Sequence, residues 1–330
     1  MRRAEKYLRS TIAGPVLVFI AVVLIVAAIT PGRFLAARNL SNLSLQVSIV
    51  AIVAIGGTLV ILTGGIDLSP GAIVALVCVV LAELVKNMGV PLSLGIPLVL
   101  VLGLFLGLVN GLLSTYGKIP SFIVTLATMN IYRGAAFLIT KALTIFSVSP
   151  HLESIFYGKF LGIPLPFYYV VVSYGVAAVF LRNTILGRSL YAVGGNQSAA
   201  NLSGIPVNRT RLMAFVLAGF AASVAGVLET AWLNSGSANY GQELALGSIG
   251  AAVIGGASLT GGVGNVFATL FGALIVAIAQ NALNLHAVQA AWQDITLGLV
   301  LIGAVGLDMW RGNLGSLASR VFRGFSPGDR

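Results

Sequence analysis

Three ionisable residues stand where charge is expensive: Asp67 in LTGGIDLSPG, Arg133 in TMNIYRGAAFLIT and Glu229 in VAGVLETAWL. Each borders or interrupts an apolar run. A charge in such a place pairs with another, faces water or marks a solute path. Asp67 lies between Gly64-Gly65, which can end one helix in a left-handed turn, and Ser69-Pro70, which suit the N-cap and first turn of the next. It either satisfies loose amides at that helix start or faces a permeation path through a broken helix. Arg133 pairs with an acid such as Glu229 or with a helix C-terminus, or it touches a polar solute. Asn110, Asn130, Gln280, Asn281 and Asn284 are uncharged polar groups within or at the ends of apolar runs. They suit a hydroxyl-rich solute and equally suit interhelical hydrogen bonds. Asp67, Asn110, Asn130, Arg133, Glu229 and Asn281 are therefore the translocation-path candidates.

Catalytic signals are missing. The single cysteine, Cys78, excludes an internal disulfide and a multi-cysteine metal site. His151 and His286 are far apart and lack helical spacing or carboxylate neighbours. GLLSTYGKIP at 111–120 fails as a phosphate loop. Five residues separate its glycines, and Ile119 follows Lys118 where a Ser or Thr is needed. GGASLTGGVGN at 255–265 reads as a tight turn between two spans. No Gly-x-Ser-x-Gly elbow or paired carboxylates occur. No enzymatic role, cofactor or metal is expected of the chain. Its remaining acids are terminal, in loops or near span ends, so it lacks the acidic relay of a proton- or sodium-driven carrier. The energy for transport must come from elsewhere.

The elements that position these groups follow from composition. Of 330 residues, 58% are hydrophobic and only 8% charged, and mean hydropathy is +0.99. Soluble domains are about a quarter charged, so a water-covered surface cannot be built, and the expected class is an all-α polytopic membrane protein. Apolar segments recur at 12–30, 43–63, 70–86, 92–115, 120–140, 165–182, 209–231, 243–258, 262–283 and 291–309. That gives about ten spans, with nine to eleven as the range. The net charge of +10 is scattered at the ends of these runs. It forms no dense basic block with interleaved aromatics, which excludes nucleic-acid binding. With ten spans and a cytoplasmic N-terminus, thirteen of the nineteen basic residues lie inside, five outside, and Arg133 within a span. This obeys the positive-inside rule.

One transmembrane domain over 1–330 is expected, with both termini cytoplasmic. Residues 1–11 form the cytoplasmic N-terminus, 141–164 an extracytoplasmic loop, 183–208 a cytoplasmic loop and 311–330 a cytoplasmic tail. Its two five-helix halves would run in opposite orientation. Small residues four apart, at Gly103/Gly107/Gly111, Ala218/Ala222/Gly226 and Gly247/Ala251/Gly255, make faces for close helix packing.

The stretch GGNQSAANLSGIPVNRTR at 194–211 is a long polar interruption in this apolar chain. Asn196 is a good N-cap and Gly204 a good C-terminal glycine, giving a helix over 197–203. A helix so short is marginal alone, so a partner or the membrane domain must hold it. At this point the sequence resembles bacterial ABC importer permeases for monosaccharides, of the ribose, xylose and arabinose type. TLVILTGGIDLSPGAIVAL at 58–76, KIPSFIVTLATMNIYRGAAFLIT at 118–140 and GAAVIGGASLTGGVGNVFATLFGALIVAIAQNALNL at 250–285 carry the same resemblance. It extends over nearly the whole chain after about residue 40.

The resemblance implies a multi-pass permease of the bacterial inner membrane that pairs with a second copy or a close paralogue. Two cytoplasmic ABC ATPase subunits drive it, and an extracytoplasmic sugar-binding protein delivers the solute. The short cytoplasmic helix would couple to the ATPase through Gly195, Asn196, Ala199, Ala200, Leu202, Gly204 and Ile205. Family members often have an acid after the Asn, where this chain has Gln197-Ser198 and so lacks a favourable charge at the helix N-terminus. Pro70 and Pro206 also depart from the family pattern, at helix-start and loop positions. The alternatives are a permease for another small polar solute, such as a branched-chain amino acid or a signalling furanose, and a self-sufficient secondary carrier.

Overall fold

The structure, a computed structural model, describes residues 2–289 and scattered positions from 291 to 306, with side chains from residue 12 onward. Nine of the nineteen positions of the expected span at 291–309 and the whole tail at 311–330 lie outside the described residues. Twelve helices are described. α1 (Arg2–Ile29) and α2 (Ala37–Leu62) precede α3 (Pro70–Ala82), which a π-helical turn prolongs over Glu83–Asn87. α4 (Leu92–Thr115) and α5 (Ser121–Thr140) follow. Next come β1 (Ile145–Phe146), α6 (Pro150–Tyr157), β2 (Lys159–Phe160), β3 (Ile163–Pro164) and α7 (Leu165–Asn183). The chain continues through α8 (Ile185–Gly195), α9 (Gln197–Leu202), α10 (Val207–Leu233), β4 (Ser235–Gly236), α11 (Leu244–Ile254) and α12 (Val266–Leu285).

Eight of these helices are long and apolar enough to cross a membrane. They are α1, α2, α3 with its π turn, α4, α5, α7, α10 and α12. The protein is a multi-pass, all-α membrane protein. α11 has 11 residues, about 16 Å of helix at 1.5 Å per residue, against a hydrocarbon core of about 30 Å. The expected full span at 243–258 is thus a short helix. It ends where Gly256 takes a positive φ of 84° and leaves the helical path.

α2 is the buried axis. Its apolar window is 94% buried inside the protein, whereas that of α1 is 11% buried and presents its apolar side chains outward. α10 packs against α4, α2 and α3 together. The glycine stripes explain how four helices fit around one another. A Cβ added to Gly107 would overlap the carbonyl oxygen of Phe215, and one on Gly103 would lie 2.6 Å from the Gly219 oxygen. Gly219 answers from α10, where an added Cβ would meet the Gly107 Cα at 2.8 Å. Gly56 of α2 approaches Ala218, and Gly226 approaches Val77 of α3. Apolar lipid supplies little driving force between helices, so close approach of this kind is a large part of what holds them.

The segment 141–164 is structured. β1 pairs antiparallel with β4, with Ile145 opposite Gly236 and Phe146 opposite Ser235. β2 and β3 form a small hairpin. Ser149 caps α6 by accepting from the His151 amide at 3.3 Å. Phe156 stacks on Trp232 with ring centroids 6.1 Å apart, and Tyr157 donates to the Trp232 carbonyl at 3.0 Å. α6 therefore sits on the C-terminal end of α10.

Gly107→Val should force α4 away from α10, costing about 1–3 kcal/mol as an overpacked core site does. It should lower the unfolding temperature of the purified chain. Gly134→Ala, at a helix position where a Cβ meets nothing within 4 Å, should not lower that temperature.

Candidate functional site

The break between α2 and α3 holds a connected polar network. Gly64, at φ +74°, turns the chain out of α2. Asp67 is buried and accepts from the Ser69 amide at 2.9 Å and the Ser69 hydroxyl at 2.6 Å. Burial pushes its carboxyl pKa up, and the two Ser69 bonds oppose that shift. Ser69 occupies the cap position of α3 with Pro70 next, as expected, but its side chain makes no cap bond. Asp67 takes the loose amide instead. The Ser69 hydroxyl also accepts from the Asn110 amide at 2.7 Å. Tyr132 donates to the Asn110 Oδ1 and the Leu106 carbonyl, both at 3.1 Å. One chain of bonds thus ties the break to α4 and α5.

Asp67 and Asn110 are brought together, and both are spent on internal bonds. Asn281 is likewise engaged. It exchanges two amide bonds of 3.0 Å with Asn39, clamping α12 to the start of α2. Asn130 is exposed on α5 and donates to the Leu126 carbonyl at 2.9 Å. Arg133 is half-buried, and its Nε is buried without a hydrogen-bond partner among the described residues.

No ion pair joins Arg133 to Glu229 among the described residues. α5 packs on α3 and α4. Glu229 instead points from α10 into a polar cavity shared with Gln46, Gln280 and Glu243. Arg133 is not among the residues that line that cavity. Tyr132 and Glu243 were missed as partners because nothing local in the sequence tells which helices are neighbours.

The 194–211 stretch forms a closed local unit. Thr184 caps α8 by accepting from the Gly187 amide at 2.9 Å, and Asn196 caps α9 by accepting from Ala199 at 2.9 Å. Gly204 stands at φ +78°. Its amide bonds the Asn201 carbonyl, and the Ile205 amide bonds the Ala200 carbonyl, each at 3.0 Å. This is a Schellman ending, with its expected apolar contact between Ile205 and Ala200. Ala200 is buried with Val193 and Val207, so it faces inward and seats the helix. Leu202 is 89% exposed and faces out. α9 covers six residues, Gln197–Leu202, with Ser203 as its C-cap.

Beneath this unit three connectors meet. A Cβ on Gly194 would overlap the Leu62 carbonyl oxygen and the Gly262 amide nitrogen. That amide donates to the Leu62 oxygen at 2.9 Å, and Tyr191 donates to the Gly264 carbonyl at 3.2 Å. The GGASLTGGVGN turn, with Gly256, Gly261 and Gly262 all at positive φ, is thus a clasp between α8 and the end of α2.

A helical membrane bundle with a broken-helix polar network and a capped surface helix defines a permease-like class. Comparison with known proteins is specific. Residues 39–305 match the family model described as branched-chain amino acid transport system / permease component. The chain is 40% identical over 300 residues to the ribose import permease protein of Haemophilus influenzae, covering 89% of this chain and 93% of that protein. It is 41% identical to the Bacillus subtilis ribose import permease protein, covering 89% and 92%. To the L-arabinose ABC transporter permease protein of Azospirillum brasilense it is 36% identical, covering 91% and 88%. No solved structure matches. The chain belongs to this ABC importer permease family.

Asp67→Ala strands the Ser69 amide and hydroxyl in a buried site, at a cost of about 1–3 kcal/mol. Asp67→Asn keeps the accepting oxygen and should lose less. Thermal unfolding of the two variants checks the order.

Proposed function

We propose that this chain is the membrane subunit of an ATP-driven monosaccharide importer, with its ATPase on separate subunits. The observation that carries this reading is the α8–α9 unit. It is a six-residue helix, fully capped at both ends, held from below by Ala200 and presenting Leu202 outward. A marginal helix kept this rigid suits a contact that transmits force. Beside it runs a groove of ≈ 580 Å³ lined by Tyr116, Gln197, Asn201 and Asn208. In this reading Asn196, Gly204 and Ile205 shape the helix. Leu202, Ala199 and the Gly195 end meet the ATPase, while Ala200 fixes the seat. The relatives named for ribose and arabinose import support a sugar as cargo.

The same reading places the protein in the bacterial inner membrane, both termini and α9 on the cytoplasmic side, with 141–164 outside. The asymmetry of basic residues supports this orientation. An extracytoplasmic binding protein would deliver the sugar over the α6 surface. A second permease copy or paralogue would complete the path, with exposed α5 and Asn130 available to face it. Oppositely oriented five-helix halves are part of this reading.

The test is ATP-dependent uptake of radiolabelled sugars by proteoliposomes holding the permease, its ATPase and its binding protein. Ribose, xylose, arabinose or allose should be taken up, and leucine should not. Uptake without any ATPase overturns the reading, and uptake of leucine alone replaces the cargo. Leu202→Asp should reduce ATPase co-purification and uptake at least about tenfold, equivalent to about 1.4 kcal/mol of lost contact, with membrane insertion unchanged. Ala200→Asp should do the same by a different route, since a carboxylate among Val193, Val207 and Ile205 unseats α9.

A further inference from the structure

The cavity beside Glu229 has a volume of ≈ 520 Å³, within the range of small-molecule sites. It lies inside one chain, bounded by α2, α10, the connector 237–243, the start of α11 and α12. Gln46, Glu229, Trp232, Tyr240 and Gln280 are half-buried along its walls, and Asn284 is exposed at its mouth. The polar groups there are incompletely used. Glu229 receives no hydrogen bond from the described residues, and neither does the carbonyl oxygen of Gln280. The Gln280 amide donates to Glu243 at 2.8 Å, which orients the side chain and leaves that carbonyl oxygen open. Tyr240 is held by a 2.6 Å bond to the Ser235 hydroxyl, and burial raises its phenol above its ordinary value, so it stays neutral.

An uncompensated carboxylate in the interior of a membrane bundle marks a functional site. The companions identify the chemistry. Carboxamides and a carboxylate offer paired donors and acceptors to adjacent hydroxyls, and Trp232 and Tyr240 offer flat apolar faces with a polar edge. A cation would want three or more anionic or imidazole ligands, and no such group occurs among the described residues. We infer that this cavity binds a monosaccharide within a single permease subunit, with Glu229, Gln280 and Gln46 meeting its hydroxyls and Trp232 its C–H face. This rests on the reading of the chain as a sugar permease and adds a binding station to it.

Cys78 is fully buried, so an introduced cysteine becomes the reactive thiol of the chain. Asn284→Cys, and separately Gln242→Cys, are made in the full transporter in proteoliposomes. Alkylation by a small maleimide is timed with ribose, xylose, arabinose and allose in turn. The expected result is alkylation about tenfold slower in 10 mM of the transported sugar, for a site with a Kd of about 1 mM. Glu229→Gln in the same background should remove most of that protection. Leu161→Cys, on the exposed hairpin, should react at one rate throughout. If the transporter imports one of the four sugars and neither mouth cysteine is protected by it, the cavity assignment is overturned and import stands. Protection by sodium or potassium salt and not by sugar also overturns it. If none of the four sugars is imported, the assignment falls together with the sugar reading beneath it.

Discussion

Everything in this bundle depends on backbones approaching without side chains between them. Helices in lipid gain little from hiding apolar surface, so van der Waals contact and polar bonding must do the holding. The α4–α10 contact shows the rule, with Gly103, Gly107 and Gly219 interleaved until any Cβ would meet a backbone atom. The same device recurs at the ends of helices. Gly194 presses on Leu62 and Gly262, Gly261 on Gly64, and Gly255 on Ala268. Contacts of this type are stiff, because a packed glycine interface has no rotamer to absorb a displacement.

Polar groups solve a different problem. Breaking α2 from α3 frees backbone groups that apolar surroundings leave unsatisfied. Asp67 takes the Ser69 amide, Ser69 links to Asn110, and Asn110 to Tyr132. The break is thereby anchored to α4 and α5 and is not a loose hinge. Asn39 and Asn281 clamp the opposite end of α2 onto α12. An axis fixed at both ends and buried along its length can only move together with its neighbours.

Local features were legible in the sequence and pairings were not. Asn196, Gly204, Gly64 and Pro70 specify helix ends through their own backbones, so a cap or left-handed residue can be read without knowing the fold. The stripe at Gly103, Gly107 and Gly111 was legible as a packing face, though not which helix it meets. Glu229, one of the partners open to Arg133, is not joined to it among the described residues for this reason: opposite charges say nothing of which helices are neighbours. α11 was overestimated because hydropathy ran on past Gly255-Gly256, where the backbone turns. Glu243 and Gln46 were invisible as cavity residues, since a cavity is defined by elements far apart in sequence.

The clasp gives the surface helix a physical route inward. α9 is joined to α8 through Asn196, and α8 rests on Leu62 and Gly262 through Gly194. Leu62 ends α2, and the 255–264 turn links α11 to α12. The helix that carries Leu202 is thereby connected to α2, α11 and α12 through backbone contacts, with little flexible side chain in series. Those three helices, with α10, also surround the Glu229 cavity. A movement of α8 that shifts α2 against α11 and α12 must change the shape of that cavity. Coupling through such a path requires two arrangements of the clasp, each biased differently by the ATPase and the solute. A Cβ at Gly194, Gly261 or Gly262 would come closer than 3.0 Å to a neighbouring backbone atom, so a side chain there would block the close approach on which that path depends.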